Sequence, residues 1–173
     1  PYTEEDRPDP LSTYARTKLA GEAALQELKL DNCCIIRTSC LFGPGRKDIV
    51  KSIIELARSK NEIKVVHDIT GSPTYTPDLA KASLNLLEKK ATGLFHVVNG
   101  GQASWCDLAA ETIRLANIPS MVRGISEKQW PHEALRPSHA VLSMGKYAAC
   151  VGSALRPWPQ ALRDYVFTSF LAH

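Results

Sequence analysis

Methionine is scarce, with two residues in 173, too few for a sulfur-rich binding face. No apolar run approaches the ~18 residues of a membrane-crossing helix, and no signal peptide is visible. Charge of one sign is concentrated nowhere. The 21 basic and 18 acidic residues are interspersed and leave a net charge of +3, which is no nucleic-acid footprint. The five cysteines (Cys33, Cys34, Cys40, Cys106 and Cys150) are odd in number and lack metal-ligand spacing. A disulfide framework is not expected at this length, so a reducing compartment, the cytoplasm, is. The five histidines lack zinc spacing, and no metal is expected. His96, inside an apolar run, is expected to be a satisfied core residue. Glycine is present without a nucleotide fingerprint. Neither Gly43-Pro44-Gly45-Arg46-Lys47 nor Gly100-Gly101 has the required spacing.

Enough apolar sequence remains for a core, at 44% of residues. The length suits about one domain. Residues 1–11 carry Pro1, Pro8 and Pro10 and read as an extended loop. Ser12 or Thr13 caps a helix running to about Leu30. Strands are expected over 33–38, 63–66 and 94–98, and helices over 48–58, 78–92 and 104–117. Asp78 is the expected cap of the third of these four helices. Residues 119–142 read as irregular, with short helices around 143–148 and 157–171. Alternation of this kind predicts an α/β fold with a parallel sheet. Only two runs have the look of central strands, fewer than the five or so such a sheet usually holds.

Tyr14 and Lys18 form the strongest local pattern. Residues at i and i+4 share one helix face, about 5–6 Å apart. An ammonium beside a phenol favours the phenolate, and such a pair can pass a proton to or from a carbonyl oxygen. Spacing alone favours a solvated surface pair, since a motif is only a hypothesis until its context is known.

The segment Pro10 to Glu22, Pro-Leu-Ser-Thr-Tyr-Ala-Arg-Thr-Lys-Leu-Ala-Gly-Glu, resembles the catalytic helix of the extended short-chain dehydrogenase/reductases. Within them it is similar to the dTDP-4-dehydrorhamnose reductase family. Further matches follow in family order. They are Arg37 to Gly45, then Asp68-Ile69-Thr70-Gly71-Ser72-Pro73-Thr74, then Ser104-Trp105. Arg136-Pro137 with Leu142 and Lys146, and Trp158 with Leu162, complete the series. The resemblance runs over essentially the whole chain.

It implies that Tyr14 is the catalytic acid/base and Lys18 its partner, both also binding the cofactor, NADPH or NADH. It places Thr38 and Ser39 near the nicotinamide; the alternative is that they only end a strand. Cys40, Asp68, Gly71, Pro73, Thr74 and Arg136 would contact the nucleotide-sugar substrate. The glycine and proline serve equally as turn residues, and Arg136 serves equally in a salt bridge. Cys40 stands where tryptophan is frequent, Asp48 where asparagine is common, Ile69 where glutamine is frequent and Ser143 where aspartate is usual. Arg46, Lys47 and Lys51 suit either an anion or a solvated helix face.

The implied fold is the C-terminal portion of a Rossmann-type short-chain dehydrogenase/reductase with an interleaved substrate-binding domain. Residues 1–44 and 67–102 would belong to the Rossmann-type domain. Residues 45–66 and 103–155 would form the substrate-binding subdomain, and 156–173 a C-terminal helix. The chain opens at Pro1 without methionine. The resemblance implies that the Gly-rich cofactor turn lies upstream, and that these 173 residues alone are inactive. The implied reaction is NAD(P)H-dependent reduction of dTDP-4-dehydro-6-deoxy-L-mannose to dTDP-L-rhamnose. The implied partners are a nucleotide sugar and a second copy in a homodimer, with no nucleic acid and no membrane. Two alternatives stand beside this. One is another nucleotide-sugar epimerase or reductase of the superfamily. The other is a non-catalytic subunit resembling the regulatory subunit of methionine adenosyltransferase.

Overall fold

The computed structural model describes residues 1–45, 48–130 and 137–171. Helix α1 (Thr13–Glu27) starts where Ser12 Oγ accepts the Ala15 N–H at 3.1 Å, one of the donors a helix start leaves orphaned. It ends three residues before the expected Leu30, because Lys29 turns to φ +48°. None of its residues is buried.

Strands β1 (Cys34–Arg37) and β6 (Gly93–His96) pair in parallel, with Cys34 opposite Gly93 and Arg37 opposite His96. A parallel pair needs a long crossover, and the chain between them supplies helices and short strands. Helices α3 (Thr76–Glu88) and α5 (Gly145–Val151) pack on this pair. Their shared core is Ala82, Leu86, Phe95, Val97 and Tyr147.

A second pair, β3 (Glu62–Val66) and β8 (Met121–Ile125), is also parallel. Helices α2 (Ile49–Ser59) and α4 (Trp105–Leu115) cover it through Ile53, Ala57, Ile63, Ala109 and Ile113. Helix α6 (Trp158–Val166) packs on α4 and α2, burying Leu108, Val50 and Ile54 against Leu162 and Val166. Short strands link these bodies. β2 (Leu41–Phe42) pairs with β5 (Thr74–Tyr75). β4 (Thr70–Gly71) lies between antiparallel β7 (Ala103–Ser104) and parallel β9 (His139–Ala140).

The architecture is α/β as expected, with several differences. Strand β8 falls in the stretch read as irregular. Its Arg123 and Gly124 are exposed and only Val122 and Ile125 are half-buried, so it carries no apolar run. Asp78 does not cap α3; the cap position is Tyr75, without a side-chain bond. The last helix stops at Val166 and passes into a π-helical turn, Phe167–Leu171. Helix α5, expected in the substrate-binding subdomain, instead joins α3 and β6, because Tyr147 fills the space beside Leu86 and Phe95. The N-terminal loop is anchored: Tyr2 bridges Leu142, and Glu4 accepts the His96 backbone N–H at 2.7 Å.

Candidate active site

On α1, Tyr14 is 72% exposed and Lys18 Nζ lies 5.5 Å from the centre of its ring. This is cation–π range, and it puts the phenol and the ammonium on one accessible face. The next turn of the helix is clamped to the sheet. Arg37, the last residue of β1, holds both carboxylate oxygens of Glu22.

Beyond Arg37 the chain leaves the sheet at Thr38, Ser39 and Cys40. Thr38 Oγ1 is buried with no hydrogen-bond partner among the described residues. Ser39 Oγ donates to Cys40 Sγ at 3.3 Å. Cys40 takes φ +49°, a left-handed turn unusual for a side-chain-bearing residue. Its carbonyl accepts the Thr74 N–H at 3.0 Å. Gly71 comes against it so closely that a Cβ there would lie 2.7 Å from Cys40 Sγ.

Cys40, Gly71 and Pro73 line one cavity of about 160 Å³, together with Ile69, Trp105 and Leu108. A larger cavity of about 390 Å³ adjoins the same Ile69 and Trp105, and is walled by α2, β3 and Trp130. Three of the expected substrate residues therefore meet at one site. Two do not line it. Thr74 is fully buried and its hydroxyl donates to the Ser72 carbonyl at 3.0 Å. Asp68 is exposed and accepts from Ser126 Oγ at 2.7 Å and from the Glu127 N–H at 2.8 Å. Those two donors hold its carboxyl below the usual carboxylate range. Its observed work is to tie the turn after β3 to the 3-10 turn Glu127–Gln129. Arg136, Arg46 and Lys47 lie outside the described residues.

Trp105 and Ile69, at the wall between the two cavities, were not among the expected site residues. The local signal for Trp105 was the cap before it. Ser104 and Asp107 exchange bonds in a capping box, which aims the first turn of α4. Nothing local indicated which wall the indole would join.

Behind the cavities lies a braced interior. Asp48 Oδ1 accepts the Val50 and Lys51 N–H groups and caps α2, while Oδ2 accepts Tyr165 O–H at 2.5 Å. Burial first, then Asp48, push the Tyr165 phenol well above its ordinary value. Arg156 pairs with Asp78 at 2.8 Å and with Asp164, and its guanidinium stands 5.7 Å from the Tyr75 ring. Fully buried Asn99 joins in, donating to Asp78 at 2.8 Å and accepting the Tyr75 N–H at 2.8 Å. Asp78 thus serves a half-buried ion-pair network rather than capping a helix start.

His96 departs from expectation. It is 1% exposed, and neither ring nitrogen meets a hydrogen-bond partner among the described residues. Burial holds its imidazole below the ordinary histidine value, against the pull of Glu4. The N-terminal segment brings the Glu4 carboxylate to the His96 backbone N–H at 2.7 Å. Trp158 behaves as a packing anchor, buried with its indole N–H on the Gln102 carbonyl at 3.1 Å. No disulfide joins the cysteines. Among the described residues no cluster of three His, Cys, Asp or Glu could hold a metal ion. No helix of the described residues is long and apolar enough to cross a membrane.

Parallel strand pairs under crossing helices define an α/β, Rossmann-like fold. The chain belongs to the RmlD substrate binding domain family, which it matches over residues 1–170. It is 38% identical over 169 residues to a dTDP-4-dehydrorhamnose reductase from Mycolicibacterium smegmatis, covering 96% of this chain and 51% of that protein. A crystal structure of a dTDP-4-dehydrorhamnose reductase from Clostridium acetobutylicum superposes with a TM-score of 0.92 at 36% identity. That match covers 97% of this chain and 59% of the other. The Bacillus anthracis enzyme of the same name, solved in complex with NADP, gives 0.90 at 31% identity, covering 97% of this chain and 59% of its own. The chain thus spans between half and three fifths of the length of the relatives it matches.

Proposed function

We propose that this chain is the catalytic-helix and substrate-binding part of an NAD(P)H-dependent reductase. Its substrate would be a dTDP-4-dehydro-6-deoxy sugar, dTDP-4-dehydro-6-deoxy-L-mannose, reduced to dTDP-L-rhamnose. One observation carries the reading. The exposed Tyr14–Lys18 face is clamped through Glu22 and Arg37 to the strand that leads through Thr38 and Ser39 to Cys40, which lines the cavity with Gly71.

A bound nicotinamide cofactor, NADPH or NADH, supplies hydride for the sugar C4. The residues present fit its nicotinamide end, since Thr38 Oγ1 is buried without a partner and Lys18 is exposed beside Tyr14. Tyr14 Oη donates the proton that the C4 oxygen requires as it becomes a hydroxyl. Lys18 keeps a positive charge beside the phenol and stabilises the oxygen left behind. Thr38 and Ser39 position the cofactor end. Cys40, Gly71 and Pro73 shape the sugar end, which is nearly all apolar and suits a deoxy sugar. Arg136 is proposed to meet the diphosphate, as a guanidinium suits phosphate oxygens.

Residues 1–44 and 67–102 are assigned to the Rossmann-type domain. Residues 45–66 and most of 103–155 are assigned to the substrate-binding subdomain, with 156–173 as a C-terminal helix. The separate cores under α3 and under α2/α4 support this partition, α5 siding with the first. A cytoplasmic homodimer is the expected assembly.

The test is NADPH oxidation by the full-length protein with dTDP-4-dehydrorhamnose. Tyr14→Phe is expected to lose at least ~100-fold in kcat. Unchanged turnover would remove Tyr14 from the mechanism. Cys40 in the cavity favours a second reading, a sister reductase acting on a different 4-keto deoxy sugar, and product analysis on a panel of dTDP sugars separates the two.

A further inference from the structure

We infer that Trp105 is a substrate-contacting residue whose indole N–H donates to the dTDP portion of the nucleotide sugar. The inference rests on the reductase reading above and extends it to a residue with no role there.

Buried donors in folded proteins are nearly always paired. Trp158 obeys this, bonding the Gln102 carbonyl, and Trp130 is 46% exposed and open to water. Trp105 does neither. Its Nε1 is buried without a hydrogen-bond partner among the described residues. Trp105 lines both the 160 Å³ and the 390 Å³ cavities, and a ligand filling them is the nearest source of an acceptor for that N–H.

The position is prepared rather than accidental. Trp105 is the first residue of α4, fixed by the Ser104–Asp107 capping box. The helix beneath it is anchored by Leu108, Ala109, Thr112 and Ile113, all buried. A donor held in place before binding gives up little freedom when a ligand arrives. The larger cavity has the volume of a small-molecule site. Ile49, Ile53, Leu56 and Val65 make its walls apolar, suited to a flat base. The smaller cavity holds the substitution at Cys40. Because Trp105 and Ile69 belong to both, a ligand with a base at one end and a sugar at the other passes the indole. Ser104 cannot replace it as donor, since its hydroxyl is engaged with Asp107 at 2.7 Å.

The experiment is calorimetric titration of dTDP into the full-length protein, wild type against Trp105→Phe, with thermal midpoints taken without ligand. Loss of one neutral hydrogen bond should weaken dTDP binding about fivefold. The ligand-free midpoint should not fall, since the change also deletes an unpaired buried donor. A purely structural tryptophan would move both together. Replacing Trp105 by 3-benzothienylalanine, which keeps the bicyclic shape without the N–H, should reproduce the weaker binding. Full affinity in that variant, or equal dTDP affinity in Trp105→Phe, overturns the inference. Wild-type protein that fails to bind dTDP overturns the reductase reading along with it. Normal dTDP binding with unaffected Tyr14→Phe turnover overturns the catalytic reading alone.

Discussion

Arg37 Nε lies 2.9 Å from Glu22 Oε1 while Nη2 lies 2.5 Å from Oε2, so one guanidinium holds both oxygens of one carboxylate. The pair joins α1 to β1, and their side chains are only 16% and 23% exposed. Helix α1 buries no residue of its own, so a polar clamp carries an unusual share of its attachment. Bidentate geometry is the strong form of such a pair.

Glu22→Gln is therefore expected to destabilise the protein by about 1–3 kcal/mol, because it leaves a half-buried guanidinium short of its counter-charge. Denaturant unfolding reads the loss. Hydrogen exchange should speed up over residues 13–27 more than in α4. Uniform exchange across both helices would show that the clamp does not hold α1.

Gly71 and Cys40 form a second dependent pair. A Cβ at 71 would stand 2.7 Å from the thiol sulfur, closer than real contacts allow. Gly71→Ala should cost about 1–3 kcal/mol through overpacking. Adding Cys40→Ala should recover most of it, since Ser39 Oγ and the Ala140 carbonyl lie at 3.5 and 3.8 Å, ordinary contact. Additive losses in the double variant would refute the coupling.

His96 gives an acid-side prediction. Its folded imidazole titrates below the ordinary histidine value, chiefly through burial. The unfolded chain then binds the extra proton first, so its stabilisation is present above about pH 6.5 and is lost as pH falls below that. His96→Leu should flatten the decline of urea midpoints as pH falls below about 6.5. An unchanged slope would show that other groups carry it.

Tyr165 gives the alkaline counterpart. Its phenol is raised by burial and by Asp48, so the folded state keeps a proton that the unfolded chain releases near pH 10. Stability should fall as pH rises above about 10. Tyr165→Phe should remove that limb and, at neutral pH, cost about 1–2 kcal/mol for the lost bond to Asp48. Ultraviolet titration of the tyrosines, with and without the substitution, checks the assignment.

Local chemistry was legible in the chain. Ser12 and Ser104 announced their helices because a cap acts within three residues. The Tyr14–Lys18 face followed from helical spacing, and the apolar runs 33–38 and 94–98 marked the strands that form over 34–37 and 93–96. Strand β8 was hidden, because Met121–Ile125 is mostly exposed and gains its pairing from β3, fifty-nine residues away in register. Asp68 and Asp78 were legible as acids but not in their partners, Ser126 and Arg156, which lie 58 and 78 residues onward.

The sequence by itself determined what acts at short range: the caps, the helix faces, the alternation of elements and the motif order that marks the family. Only the tertiary structure decided which side chains share a wall or an ion pair and which polar atoms are buried without a partner. It set Cys40 against Gly71, left His96 dry, and put Trp105 between two cavities. The physical reason is that a side chain's desolvation depends on everything packed around it, and that neighbourhood is assembled from distant parts of the chain.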